Sequence, residues 1–205
     1  MLNKEWISQL AGDIETKYGK ETRERIFGDI ESVKNDHDSL SAWFGNFIRG
    51  IDELNDKEFL TAMLAERCPC GYSDAEKDIK KLYKESKTLE EFVTRLDENG
   101  IFNDKIKLRG NILYATKQLW SDVCAYFGGK HNHKGFYTES CHCPLASHTE
   151  ESISDIFCHC CTVGYYSKMF KNALGVDVKV EFIDSVIIGG KGCTAAIYLP
   201  AIDVK

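Results

Sequence analysis

The stretch TVGYYSKMFKNALGVDVKVEFIDSVIIGGKGCTAAIYL, residues 162–199, decides the fold of the chain. Its first part, residues 162–174, has the apolar spacing of an amphipathic helix, and Gly175 follows as a helix-ending glycine. Residues 178–182 then alternate apolar and charged side chains, as a half-buried strand does. A glycine pair supplies a turn, and the apolar run at residues 195–199 leads back. The stretch therefore predicts a helix followed by an antiparallel strand pair.

Helices dominate the sequence before this stretch. Apolar residues recur at helical spacing within residues 7–14, 39–53 and 56–66. Thr88 and Glu91 match the capping box, in which a hydroxyl and a carboxylate satisfy the first N–H groups of a helix. The first hundred residues are thus predicted to be helical.

Strand signals follow the helical region. Residues 106–108 and 112–114 are apolar-rich and flank Arg109-Gly110-Asn111, which predicts a short hairpin. We therefore expect an α+β fold in which a helical region, residues 1–103, packs on a small antiparallel sheet with one main crossing helix. Residues 104–205 are expected to form the cysteine-rich, ligand-binding α+β region, and the two regions to make one compact unit.

The composition is that of a globular protein without an electrostatic footprint for nucleic acid. Of the 205 residues, 43% are hydrophobic and 28% are charged, and the formal net charge is −6. No basic stripe with interleaved aromatic residues occurs, so we expect no nucleic-acid partner. No apolar segment is long enough for a signal peptide or a membrane span, so we expect no membrane association and a reducing, cytoplasmic location. Homo-oligomerisation is left open.

Cysteine and histidine gather in two tripeptides, Cys141-His142-Cys143 and Cys158-His159-Cys160, and Cys161 extends the second. In a reducing compartment disulfides are rare, so the nine cysteines of the chain are interpreted as thiols, metal ligands or nucleophiles. Pairs of thiolates that meet across a turn can bind Zn²⁺ tetrahedrally, and a histidine can replace any one of them. The predicted zinc ligands are Cys141, Cys143, Cys158 and Cys160, with His142 and His159 as alternates. An iron–sulfur cluster takes the same ligand types, and buried thiols that pack as small hydrophobic groups are the structural alternative.

A second hypothesis makes one of these cysteines a nucleophile. Cys160 and Cys161 lie where the predicted helix begins, and a helix N-terminus lowers the pKa of a thiol. His159 is a candidate base, as are His142 and His148, because the partners need only spatial adjacency. The expected activity is then the hydrolysis of a C–N bond in a small cyclic amide or thiazoline.

The segment from Cys158 to Leu199 resembles the 4-vinyl-reductase-type small-molecule-binding domain and the related L-2-amino-thiazoline-4-carboxylic acid hydrolase-like proteins. The shared pattern comprises Gly164-Tyr165, the helix that ends at Gly175, a Val-x-Val-Glu strand and a Gly-x-x-Cys turn. The upstream Cys-His-Cys-Pro element is similar to the cysteine-rich segment of uncharacterised bacterial members. The resemblance implies an α+β domain that binds a small molecule.

The resemblance also implies a set of zinc ligands. Family members that sense aromatic compounds hold a structural zinc through a cysteine before the helix, a glutamate on the strand and two later cysteines. Cys158 or Cys160, Glu181 and Cys193 match three of these positions. Ser185 stands where one of the later cysteines would be, so the family site is incomplete in this chain.

Four aromatic side chains are candidates for lining the pocket of a small-molecule ligand, although their helical or strand spacing is equally typical of a core. These residues are Tyr165, Tyr166, Phe170 and Phe182. The sequence thus predicts a small-molecule-binding protein with a Cys/His cluster that holds a metal ion, zinc, and the cysteine hydrolase is the alternative.

The strand register can be tested directly. Val180 is predicted to face the core, so Val180→Asp would bury a charge without a partner and should unfold the domain. Thermal melting of the variant measures this, and a melting temperature equal to that of the parent would mean that the register is shifted by one residue.

Overall fold

The computed structural model describes residues 4–33, 37–68, 73–101, 104–117, 153–190 and 192–202. These ranges contain seven α-helices and one four-stranded antiparallel sheet, with the helices concentrated in the N-terminal half. The predicted α+β class with a helical N-terminal region is therefore confirmed. Among the helices of these ranges, none is both long enough and apolar enough to cross a membrane.

The first four helices enclose a hydrophobic core, which we call the first cluster. They are α1 (Lys4–Tyr18), α2 (Lys20–Phe27), α3 (His37–Asp52) and α4 (Lys57–Glu66). The apolar positions at helical spacing are the buried ones, and the rings of Trp43 and Phe47 on α3 stack with their centroids 5.3 Å apart. Packing of these apolar faces, more than helix propensity, is what stabilises such short helices.

Two more helices follow, α5 (Ser73–Glu85) and α6 (Leu89–Glu98). The predicted capping box of α6 is confirmed, because Thr88 Oγ1 accepts a hydrogen bond of 3.1 Å from the backbone N–H of Glu91. The Glu91 carboxylate accepts in turn from the backbone N–H of Lys87, at 2.8 Å. It thus reaches one residue further back than the standard box.

The sheet combines the predicted hairpin with the predicted C-terminal strand pair. Its strands are β1 (Asp104–Arg109), β2 (Ile112–Lys117), β3 (Val180–Asp184) and β4 (Cys193–Tyr198), in the order β1-β2-β4-β3. The crossing helix α7 (Tyr165–Leu174) precedes β3 and ends, as predicted, at Gly175, which adopts the left-handed conformation with φ of 74°. Glycine adopts this conformation without the steric cost that other residues incur.

The two faces of the sheet have different environments. On the core face, Leu113 and Ala115 of β2 lie beside Ala195 and Ile197 of β4, and all four are fully buried. Val180 pairs with Ile197 and packs against the same core, so its predicted register is confirmed. Alternate residues of each strand point to the opposite side, which we call the outer face.

The hydrophobic core consists of two clusters of buried side chains. A second cluster joins α5, α6 and α7 to the core face of the sheet, whereas the first cluster takes in α1 to α4. The first cluster also includes Ile153, Ile156 and Phe157, which come from far along the chain. Among the first six helices, the boundary between the two clusters thus falls between α4 and α5. The predicted division of the chain at residue 103 stays a prediction.

The two clusters meet where Gly164 lies against the end of α4. A methyl group added at Gly164 would lie 2.3 Å from the carbonyl oxygen of Ala65 and 2.9 Å from its Cα. Both are backbone atoms of α4, so they cannot move aside as a flexible side chain can. The backbone angles of Gly164 are those of an ordinary helix, so it is the close approach that requires glycine here.

Gly164→Ala should therefore lower the free energy of unfolding by about 1–3 kcal/mol, the usual range for overpacking. Gly12→Ala is the matched control, because Gly12 is an exposed position inside α1 with no atom near an added methyl group. The control should raise stability by up to about 1 kcal/mol, since alanine is the better helix former. Urea unfolding of both variants measures the difference, and equal stabilities would show that the backbones do not meet as described.

Candidate functional site

The second cysteine tripeptide lies inside a continuous helical path and not at the start of a helix. A 3-10 turn at Asp155–Phe157 leads through Cys158 and His159 into a π-helical turn at Cys160–Gly164, which continues into α7. Ser154 provides the cap, because its Oγ accepts a hydrogen bond of 3.4 Å from Ile156 N–H. The prediction that Cys160 and Cys161 lie at a helix N-terminus is therefore wrong. Single π-helical turns occur frequently at functional sites.

Cys158 and Cys160, which were predicted to be paired zinc ligands, point to different sides of this helical path. Residues two positions apart on a helix lie on nearly opposite faces. The buried Cys158 thiol donates to Ser185 Oγ at 3.3 Å, while Cys160 packs against the first cluster. The structure thus places the thiol of Cys158 against Ser185, and it does not bring Cys158 and Cys160 to one site.

Cys161 is half-buried, and the thiols of two buried cysteines from other elements act on its pKa. Burial raises the pKa of the Cys161 thiol, and the neighbouring thiols of Cys193 and Cys68 raise it further, whereas the Lys117 ammonium acts in the opposite direction. Cys68 follows α4 and Cys193 begins β4, and both are buried. We call Cys68, Cys161 and Cys193 the thiol group. The raised pKa is the reverse of what an activated nucleophile at Cys161 requires.

Two lysine ammonium groups donate hydrogen bonds to backbone carbonyl oxygens of the thiol group. Lys117 Nζ donates to the carbonyl oxygen of Cys161 at 2.5 Å and lies 4.3 Å from the centroid of the Tyr165 ring. Lys168 Nζ on α7 donates to the carbonyl oxygen of Cys68 at 2.7 Å. Sequence reasoning missed both lysines. For Lys117 a signal existed, because it shares its strand parity with the core residues Leu113 and Ala115.

His159 is half-buried, with its ring centroid 5.2 Å from that of Phe182. Burial lowers the pKa of the imidazole; Asp155 raises it and Lys57 lowers it by smaller amounts. The ring is consequently neutral at pH 7 and keeps a lone pair. His159 and Cys161 are two positions apart on the helical path, so the structure does not form this predicted base–nucleophile pair.

Glu181, a zinc ligand implied by the resemblance, lies on the outer face of the sheet. Its carboxylate accepts hydrogen bonds from Lys179 Nζ at 2.6 Å and from Tyr198 Oη at 2.7 Å, and these two contacts lower its pKa. Cys193 shares the core face with Ala195. The sheet thus separates Glu181 from Cys193, and the implied ligand set is not brought together.

Two of the four predicted pocket aromatics are core residues. Tyr166 and Phe170 have no exposed surface and belong to the second cluster. Tyr165 is partly buried beneath the Lys117 ammonium, and Phe182 lies against His159. Tyr166 and Phe170 therefore cannot line a ligand pocket without the core being opened.

Cys141, His142 and Cys143 lie outside the residues that the structure describes, as does His148. Within the described ranges, no three or more histidine, cysteine, aspartate or glutamate side chains gather closely enough to hold a metal ion. The predicted zinc site, which draws on both tripeptides, thus stays a prediction.

Part of the chain matches a known family model. A family model described as "Family of unknown function (DUF6144)" matches residues 125–203, less than half of the chain. The matched residues include both cysteine tripeptides, α7, β3 and β4. No curated protein matches the chain.

The role of Lys117 can be measured through stability. Lys117→Met keeps the apolar part of the side chain but leaves the Cys161 carbonyl without its ammonium donor. The free energy of unfolding should therefore fall by about 1–3 kcal/mol. Lys107→Met, on the outer face of the neighbouring strand, is the control and should change stability by less than about 0.5 kcal/mol. Urea unfolding compares the two variants, and equal effects would contradict an anchoring role for Lys117.

Proposed function

We propose that the protein binds a small molecule and holds a zinc ion at a thiolate site built around Cys161. The observation that supports this best is the thiol group, in which Cys68, Cys161 and Cys193 come from three separate elements and the first and last of them act on the pKa of Cys161 beside a π-helical turn. These three thiols alone do not gather closely enough to hold the ion, so the site needs further ligands from outside the described residues. Thiols that served only as small hydrophobic groups would need no such convergence and no lysines anchored beside them.

The chemistry of the donors fits zinc. Thiolates and imidazoles are its usual protein ligands, and a structural site takes four of them. Cys161 and Cys193 are the ligands proposed from the described residues, with Cys68 and Cys158 nearby. Cys141 and Cys143 would complete the set, and His142 is the alternate. When bound, the ion would tie these segments of the chain together.

The charges around the thiol group support the same proposal. Each thiol that binds the ion must lose its proton, and the raised pKa of Cys161 means that the ion has to displace a proton that burial retains. The ammonium groups of Lys117 and Lys168 lie beside the thiol group and would offset the negative charge of several thiolates. Lysine is one of the residues that stabilise a nearby thiolate.

Small-molecule binding is proposed from the resemblance to the 4-vinyl-reductase-type domain, and the α+β fold agrees with that resemblance. A cytoplasmic location is part of the proposal, because the reducing cytoplasm would keep so many cysteines as thiols. We propose no nucleic-acid partner for the thiol site.

The cysteine hydrolase is the second candidate, and it now rests on Cys160. This residue is partly exposed. Consecutive residues of a helix do not face each other, so its base would be His142 or His148 and not the neighbouring His159. The two candidates therefore depend on different cysteines.

Metal content tests the proposal. Protein purified without an affinity tag should contain about one zinc per chain by elemental analysis. Cys161→Ser and Cys193→Ser should each lower the zinc content and the melting temperature together, since binding of a structural zinc is coupled to folding. Cys160→Ser is the matched control and should keep its zinc.

Alkylation separates the two candidates. In the zinc-binding protein, iodoacetamide should modify the thiol group slowly until a chelator is added. A folded, metal-free protein in which Cys160 alone reacts fast at neutral pH would contradict the zinc proposal. It would support the hydrolase instead.

A further inference from the structure

The outer face of the sheet carries a basic strip on β1 that the thiol site does not use. Lys105, Lys107 and Arg109 alternate with Ile106 and Leu108, which pack against the second cluster. The three cationic residues are exposed and point away from the core. Because β1 is an edge strand, they form the margin of the outer face.

An open groove of about 440 Å³ follows this strip. Its lining consists of the three cationic residues and Ile106 with two hydroxyl-bearing residues of β2, Tyr114 and Thr116. The register places Lys107 opposite Tyr114 and Lys105 opposite Thr116. The volume lies in the range of small-molecule sites, and none of the described residues that line the groove carries a carboxylate.

Parts of the lining are held in place by contacts. The Arg109 guanidinium lies 5.6 Å from the centroid of the Tyr114 ring, and the Thr116 hydroxyl shares a hydrogen bond of 2.9 Å with Thr194. Aromatic and hydroxyl groups fixed beside cations allow a ligand to be oriented as well as attracted.

The strip is electrostatically unbalanced. Within the described ranges, the structure records no ion pair for Lys105, Lys107 or Arg109, while Lys179 near the opposite edge of the sheet is paired with Glu181 at 2.6 Å. Side chains two residues apart on a strand are separated by about 7 Å, so these like charges repel one another. An anion in the groove would relieve this repulsion.

Charge on an edge strand also prevents unwanted pairing with other chains. That role requires exposed lysines alone. It does not account for a groove, for the fixed aromatic ring or for the hydroxyl pair. These additional features favour a binding site.

We propose that the groove on the outer face of β1 and β2 binds a small organic anion that carries a carboxylate or phosphate group. The anionic group contacts Lys107 with Lys105 or Arg109, and the body of the ligand lies along Tyr114. The inference rests on the small-molecule part of the proposed function and is independent of the zinc. It names the site and the chemical class of the ligand.

Titration of the full chain with three probes tests the inference. Inorganic phosphate, glycerol phosphate and succinate are added to isotope-labelled protein, and amide chemical shifts are followed by NMR. At least one probe should shift the signals of residues 105–109, 114 and 116. Preference for the phosphates or for succinate identifies the anionic group.

Charge-reversal variants measure how much the basic strip contributes to the affinity for the probe. Lys107→Glu should weaken binding of the active probe by at least about tenfold, which corresponds to about 1.4 kcal/mol. Lys80→Glu, an equal charge change at an exposed position of α5, should leave binding within about twofold. Melting temperatures and zinc contents equal to those of the parent show that both variants are folded.

Three outcomes would overturn the inference. They are the absence of shifts at the groove with every probe, equal weakening by the two variants, and binding of a single-stranded RNA oligonucleotide that depends on Lys107 when no small anion binds. The last would make the face a nucleic-acid surface. None of these outcomes changes the zinc content of the protein. A negative result for anion binding at the groove is therefore distinguishable from a negative result for zinc binding at the thiol group.

Discussion

The contact between Gly164 and the Ala65 carbonyl is the constraint on which the rest of the structure depends. It seats the π-helical turn directly on the end of α4, where the first and second clusters meet. With the turn fixed there, Cys161 lies near enough to the Cys193 and Cys68 thiols for both to raise its pKa. A side chain at position 164 would push the turn away from α4 and would disturb both the join between the clusters and the thiol group. Close packing of this kind transmits small displacements because protein interiors contain few voids.

Strand alternation gives the sheet two chemically different sides. On the core face, β2 ends with Lys117 directed toward the thiol group, and β4 begins with Cys193 opposite it. On the outer face, the same two strands present Thr116 and Thr194 to each other. One residue of register thus separates a buried side of the sheet, which carries a cysteine thiol, from an outer side, which carries exposed charges and hydroxyl groups. The two sides can change independently, since a substitution on one face leaves the side chains of the other in place.

Local patterns in the sequence were sufficient for most of the fold. The hairpin, the strand pair and the cap at Thr88 depend on near neighbours, and the structure has all three. The cysteine site depends on tertiary packing, which the sequence does not display. An extended Cys-x-Cys places both thiols on one side, but packing against α4 winds this segment into a helix and separates Cys158 from Cys160. The position of Cys193 on the core face was readable from its alternation with Ala195 and Ile197, and this would have excluded Glu181 as its partner.

The membership of the first cluster has a consequence for how the chain acquires its structure. Ile153, Ile156 and Phe157 fill part of the core made by α1 to α4, and the Phe157 ring lies 5.8 Å from that of Phe47. During synthesis these residues leave the ribosome long after the four helices, because the whole of α5, α6, β1 and β2 is made in between. Until these residues are made, part of the apolar surface of the first four helices stays exposed to solvent. Chains with such exposed apolar surface are prone to aggregate. Completion of the N-terminal core is therefore a late event, set by the arrival of a segment that also carries the cysteine turn.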